Sequence, residues 1–158
     1  MTQQNELSPT GKTGAQLVDA IWAAFRAGRT DLHQQVALLL HHDDPVVREE
    51  AISLLLIKWK DARYRATALN VLDHDEDFGV RGQAALGLAL ISTAATRGDD
   101  LSILAQVLRN PEEDTETRRA AYEALLILDR REDFPSSTKG FDPDRDVDWK
   151  WLSTLETS

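Results

Sequence analysis

The chain has 158 residues, enough for one domain, and its 27 acidic against 18 basic side chains give a formal net charge of −9. This balance argues against binding nucleic acid or an anionic membrane, because both need an excess of Lys and Arg. The absence of cysteine excludes disulfides, thiolate nucleophiles and Cys-based metal sites.

No apolar run approaches the roughly 18 to 20 residues that cross a bilayer. The opening residues MTQQNELSPTGKTG also lack the basic and then apolar layout of a signal peptide. The sequence therefore predicts a cytoplasmic protein.

The first residues read as a polar lead-in, followed by one helix. Residues 1–11 contain Pro9 and Gly11 and show no apolar periodicity, so they are expected to be flexible. From Thr13 onward apolar residues recur at helical spacing, and the stretch ends at Gly28. We expect a repeat domain over residues 12–130, completed by a loop and a short capping helix over residues 131–158.

Three segments of the chain share an Asp-x-x-x-Arg-x-x-Ala core: DPVVREEA, DFGVRGQA and DTETRRAA. Their arginines are Arg48, Arg81 and Arg118, which are 33 and 37 residues apart. An apolar stretch at helical spacing precedes each core and another follows it, with the joints HHDDP, DHDED and NPEED between them. The pattern indicates an internal repeat in which each unit is helix, turn, helix.

The shared residues have a physical role in such a unit. Asp44, Asp77 and Asp114 stand where a carboxylate caps the positive end of the second helix. Ala51, Ala84 and Ala121 are small where adjacent helices approach closely. The three arginines are interpreted as contacts within the turn or between neighbouring repeats.

The core Asp-x-x-Val-Arg-x-x-Ala at Asp44 and Asp77 resembles HEAT repeats over about residues 31–128, and the short period is similar to phycobilin-lyase-type units. In the third copy Thr117 replaces the usual valine. The resemblance implies an all-α fold, an α-solenoid of about three HEAT-like helical hairpins with an N-terminal helix and a C-terminal capping segment. It says little about function, because HEAT-like arrays serve as scaffolds, inhibitors and enzyme subunits.

The last part of the chain departs from the repeat. Pro135, Gly140 and Pro143 punctuate a loop, after which Trp151, Leu152 and neighbouring apolar residues fit one face of a short helix. Because the final repeat of a solenoid has an open apolar face, this segment is predicted to cover it.

Two patterns invite a metal. His42-Asp43 and His74-Asp75 lie at matching points of successive repeats, similar to the paired His-Glu motifs of HEAT-type hydroxylases, but with Asp in place of Glu and at turns instead of along helices. Asp142, Asp144 and Asp146 begin like a calcium loop, yet the required Gly and closing Glu are Val147 and Ser153. Since no nucleophile motif is present either, we expect no metal, no cofactor and no catalysis.

The second helices of such arrays usually line a concave surface that presents side chains to a partner. Candidate partner-binding residues are Glu49, Glu50, Ser53, Gln83, Arg119 and Glu123, with Trp59 as the tryptophan most expected to be exposed. The acidity favours a basic protein as partner, most sharply a bacterial toxin covered by an immunity or inhibitor protein. The alternatives are an assembly adaptor or scaffold and a HEAT-type lyase or metal-dependent enzyme subunit.

Overall fold

A computed structural model describes residues 7–134 and 140–155 of the chain. Within these residues the fold is all-helical, as predicted. The α-helices are α1 (Gly14–Arg26), α2 (His33–Leu38), α3 (Pro45–Ile52), α4 (Arg65–His74), α5 (Phe78–Ile91), α6 (Arg97–Arg109), α7 (Thr115–Leu128), α8 (Pro143–Asp146) and α9 (Trp149–Leu155). Short 3-10 turns span Thr30–Leu32, Leu39–His41 and Ala62–Tyr64, and a π-helix spans Ser53–Lys58.

The helices form three hairpins: α2 with α3, α4 with α5, and α6 with α7. We call the first helix of each hairpin its A helix and the second its B helix. The B helices pack on one another, and α1 packs on α3, so α1 acts as a fourth B helix at the N-terminal end of the array. The predicted α-solenoid of about three hairpins is confirmed.

Local sequence signals start the B helices as expected. Asp44, Asp77 and Asp114 each occupy the N-cap and accept a backbone N–H from two residues ahead, at 3.0, 2.9 and 2.8 Å respectively. The first helix begins with a reciprocal pair in which Thr13 caps the Gln16 amide and the Gln16 side chain caps Thr13. Each of these helices therefore begins at a capping residue that bonds to a backbone amide two or three residues further along the chain.

Small residues set the close packing of the B layer. Ala51, Ala84 and Ala121 are fully buried, and a Cβ on Gly87 would lie 2.5 Å from the Cβ of Leu56 in the neighbouring helix. Within the described chain, successive A helices make few contacts, and a groove of about 510 Å³ separates α4 from α6. An array packed more closely on one side curves toward that side, so the B layer lines the concave face.

The repeats are tied together by ion pairs, most of which run from one hairpin to the next. At the turns inside the hairpins, Arg48 binds Asp75 and Arg81 binds Glu113. At the loops between hairpins, His33 lies within hydrogen-bond distance of Asp61 and Arg65 pairs with Asp100, while Arg97 pairs with Asp129 inside the last hairpin. Arg118 belongs to the last hairpin, and its guanidinium donates to the Leu108 carbonyl of its own turn.

The C-terminal segment packs on the last B helix. Leu152 is fully buried, and the Trp151 ring meets Tyr122 edge-on at 6.0 Å between centroids. The Trp151 indole also donates to Asp129 at the end of α7. Residues 135–139 of the expected loop and residues 1–6 of the expected lead-in lie outside the described residues. The lead-in residue Leu7 is described: its side chain is buried, and its amide donates a hydrogen bond to the Gln35 side chain.

Candidate protein-binding surface

The concave face carries the side chains that the repeat alignment singled out. Those of α3, of the π-helix that follows it, of α5 and of α7 are all partly exposed. With Trp22 of α1 they define what we call the B face: Trp22, Glu49, Glu50, Ser53, Gln83, Arg119 and Glu123. Their shared position follows from the repeat, because the same turn of each B helix points the same way. Whether they bind a partner remains a prediction.

Hydrogen bonds across helices order part of the B face. The Trp22 indole donates to Glu50 Oε2 at 2.9 Å, which ties α1 to α3. The Gln83 amide donates to Glu49 Oε1 at 3.4 Å, and this ties α5 to α3. Within α7, Arg119 Nε donates to Glu123 Oε1 at 2.9 Å. These contacts hold the carboxylates in place while leaving each of them partly open to a partner.

Trp59 differs from the sequence-based expectation that it would be exposed. Its ring is partly buried against the core and stacks on His33, with 3.9 Å between centroids and 11° between planes. The reason is the end of the π-helix, where Lys60 takes a left-handed φ of 51° and the chain turns toward the next repeat. Trp59 therefore braces the junction between two hairpins and lies outside the B face.

The junction around His33 is a compact polar cluster. The Nδ1 atom of His33 lies 2.6 Å from Asp61, whose other contacts come from Arg63. The hydrogen bond from Arg63 holds the pKa of Asp61 well below its ordinary value, with His33 adding to the effect and burial opposing it. Asp61 thus stays ionised and bonds to both neighbours.

The hairpin turns form an edge of concentrated negative charge. We call residues 41–49, 74–82 and 111–119 the acidic edge; they contain ten acidic and four basic residues, a net charge of −6. The loops on the opposite side, residues 26–32, 58–65, 92–97 and 129–134, contain five acidic and nine basic residues, a net charge of +4. The formal charge of the molecule is therefore segregated, and the negative pole adjoins the start of every repeat B helix.

Arg48 on the acidic edge is bonded to groups inside the protein. Both partners of the Arg48–Asp75 pair are about nine-tenths buried, and Arg48 also donates to the carbonyls of His42 and Asp43. Burial raises the pKa of Asp75, but the hydrogen bonds from Arg48 and from the Asp77 amide, together with the charges of Arg48 and Arg81, outweigh it, so this pKa lies below its usual value. The pKa of Arg48 is raised by its hydrogen bonds to Asp75. Arg48 is thus a structural cation that joins two repeats.

The paired histidine motifs do meet at one place. His42, His74 and Asp75 line a single open depression of about 430 Å³ together with Arg48. Arg48 occupies the position between the two turns and binds Asp75 itself, and a guanidinium there repels a cation. Among residues 7–134 and 140–155, no three His, Asp or Glu side chains are grouped so that they could hold a metal ion.

The aspartates of the calcium-like motif serve the helix α8. Asp142 is its N-cap and accepts the amide of Asp144, while Asp146 pairs with Arg145. The hydrogen bond from Arg145 lowers the pKa of Asp146. The carboxylates of Asp142 and Asp146 therefore each have a local structural partner.

Three surface residues escaped the sequence reasoning. Trp22 is not among the residues predicted from the sequence to bind a partner, although α1 acts as a B helix and brings the indole to Glu50. Val46 and Phe78, at the starts of α3 and α5, are about half exposed. The repeat alignment holds a signal for Phe78, because the residue after the capping Asp is Pro45 in the first repeat and Thr115 in the third.

Comparison with known proteins agrees with this architecture. The family model for HEAT repeats matches residues 34–126, more than half of the chain. The protein belongs to the HEAT-repeat family, whose members generally mediate protein–protein interaction. No curated protein and no solved structure matches the chain. Within the described residues, no helix is sufficiently long and apolar to traverse a membrane.

Proposed function

We propose that this protein is a non-catalytic binding module that covers a basic surface on another protein. The observation that carries the proposal is the segregation of charge, with a net −6 on the acidic edge and +4 on the opposite loops. A dipolar solenoid of this kind attracts and orients a basic protein before contact. The cytoplasmic location expected from the sequence is part of the proposal.

The B face supports the proposal with preordered acceptors. Glu49 and Glu50 are each held by one hydrogen bond from a neighbouring helix, so little side-chain freedom is lost when a partner binds. The Trp22 indole next to Glu50 adds an aromatic side chain of the type enriched in binding hot spots. The Lys58 ammonium lies 5.8 Å from the centre of the Trp22 ring, so the charge beside Trp22 is negative at Glu50 and positive at Lys58.

In its finer form the proposal makes the protein an immunity or inhibitor protein for a basic toxin. The supporting features are a small acidic chain and a preformed concave face whose carboxylates are spread over several helices. Such a surface would block a basic active site by covering it. An assembly adaptor would use the same B face, and the identity of the captured partner separates the two functions.

The test is affinity capture from the native host with mass spectrometry of the bound proteins. We expect one predominant basic partner, released by salt and lost with the double variant E49K/E50K. The matched control is D99K/D144K, which changes the net charge equally at exposed positions of α6 and α8. Capture of a partner that ignores E49K/E50K would contradict the proposal.

The toxin form has its own readout. The captured protein, expressed alone in a heterologous bacterium, should arrest growth, and co-expression of this chain should restore it. E49K/E50K should not restore growth. A captured partner that is harmless when expressed alone would support an adaptor instead.

A further inference from the structure

Two exposed apolar side chains stand at the acidic edge. Phe78 is 50% exposed and Val46 is 53% exposed, and they lie in the first turns of neighbouring B helices. The other large exposed hydrophobic residues among the described ones are Leu38 in the A helix α2 and Phe134 beyond α7. The B layer therefore concentrates its exposed apolar surface at the end where its negative charge also lies.

The start of α5 does not require an aromatic side chain at Phe78. Asp77 supplies the cap by accepting the amides of Gly79 and Val80, and Val80 is the buried residue of this turn. The backbone carbonyl of Phe78 accepts the hydroxyl of Thr117 in α7 at 3.3 Å, a bond that does not depend on the side chain at this position. Half of a phenyl ring thus remains in water at a site where another residue would start the helix equally well.

Glu49 joins the two apolar side chains into one surface. It lies one helical turn after Val46, on the same side of α3. Its Oε2 is 3.2 Å from the place where a Cβ on Gly79, the neighbour of Phe78, would stand. A carboxylate therefore lies between the start of α3 and the start of α5, with one apolar side chain on each side.

Further carboxylates surround this pair. Glu76 precedes Phe78 by two residues and its side chain is 89% exposed, and Asp77 stands beside it. The two arginines of the region offset them only in part, because Arg48 and Arg81 are largely buried in closer ion pairs with the next repeat, and Arg48 lies 3.9 Å from the Glu76 carboxylate. The surface therefore has an apolar centre and an acidic rim, which is the layout of a protein–protein interface.

We infer that Phe78 and Val46 anchor a basic segment of the partner protein, which inserts an apolar side chain beside Phe78 and sets Lys or Arg against Glu49 and Glu76. Charge complementarity selects this occupant, since a neutral or acidic segment would leave the rim carboxylates desolvated and unpaired. The inference rests on the proposed function, because it places the docking point of the same basic partner. It adds that the partner is recognised by an apolar side chain as well as by charge.

Two synthetic peptides of equal length and lysine content test this inference. One carries leucines between the lysines and the other carries serines. Binding is measured by fluorescence anisotropy at about 0.15 M ionic strength. We expect the leucine peptide to bind about tenfold more tightly than the serine peptide, because it buries apolar surface against Phe78.

Phe78→Thr is the decisive variant, since Thr115 shows that threonine is accepted at this position of a B helix. It should remove the tenfold advantage of the leucine peptide and leave serine-peptide binding unchanged. The control is Leu38→Thr, which removes an apolar side chain that is 68% exposed but lies on the A layer, and the advantage should persist.

The outcomes separate this inference from the proposed function. If both peptides bind alike and ignore Phe78→Thr, but are lost with E49K/E50K, the apolar anchor is wrong and the acidic surface stands. If Leu38→Thr removes the advantage as fully as Phe78→Thr, the anchor is also wrong. If neither peptide binds more tightly than a glutamate peptide of equal length, the basic partner fails and the anchor fails with it.

Discussion

Gly87 offers the sharpest test of the packing in the B layer. A Cβ at this position would lie 2.5 Å from the Cβ of Leu56, 2.7 Å from its Cδ1 and 3.1 Å from its Cγ. Because the Leu56 Cβ is bonded directly to the backbone, no rotamer change can move it away. Replacing Gly87 with alanine must therefore push α5 away from the π-helical segment that holds Leu56.

The expected size of the effect combines two opposing contributions. Overpacking a well-filled core costs about 1–3 kcal/mol. Alanine in place of glycine inside a helix recovers about 1 kcal/mol. Since the clash involves the immobile Cβ, the cost lies in the upper part of its range, and Gly87→Ala should lose about 1–2 kcal/mol of the free energy of unfolding. For a chain of this length that lowers Tm by roughly 2–8 °C.

Urea and thermal unfolding followed by circular dichroism measure both quantities. The matched control is Gly98→Ala in α6, where no atom lies within 4 Å of the added Cβ. That variant should be stabilised by about 0.5–1 kcal/mol, because alanine restricts the unfolded chain. If Gly87→Ala were as stable as Gly98→Ala, the close approach of α5 to Leu56 would be refuted.

Two further predictions concern the ion pairs between repeats. Asp100 is fully buried and accepts hydrogen bonds from Arg65 and Ser92, so Asp100→Asn should lower the free energy of unfolding, measured in urea, by about 3 kcal/mol. The control is Asp99→Asn at the exposed neighbouring position, which should lower it by less than about 1 kcal/mol. Equal losses in the two variants would argue against the buried ion pair. The folded-state pKa of Asp75 is lowered, so its contribution is complete above its unfolded value of about 3.9 and is lost as pH falls through the folded value. Asp75→Asn should therefore lose less stability than the wild type between pH 7 and pH 3, and Glu112→Gln, at an exposed residue of the next turn, should behave like the wild type.

The parts of the fold that the sequence predicted correctly rest on local chemistry. An Asp at the N-cap bonds to amides two residues ahead whatever surrounds it, so Asp44, Asp77 and Asp114 could be assigned from spacing alone. The alanines of the motif are buried for the same reason that the repeat exists, since each unit must stack on the next. From these features the sequence predicted the hairpins, their order along the chain and the resemblance to HEAT repeats.

The partner of each long side chain depended on the tertiary structure. Arg48 bonds to Asp75 of the following repeat and not to Asp44 of its own helix, because stacking brings the next turn within reach of the guanidinium. Trp59 stacks on His33 because a π-helix and a left-handed Lys60 redirect the chain there. No periodicity in the sequence encodes either choice.

Some residues of the candidate surface were predictable from the sequence and others only from the tertiary structure. The repeat alone placed Glu49, Glu50, Gln83, Arg119 and Glu123 on one face, because equivalent turns of stacked helices point alike. Only the folded chain showed that Trp22 joins that face and that Phe78 stays half in water. Sequence thus determined which residues recur and where helices begin, while the exposure of individual side chains was decided by which neighbours the packed repeats bring against them.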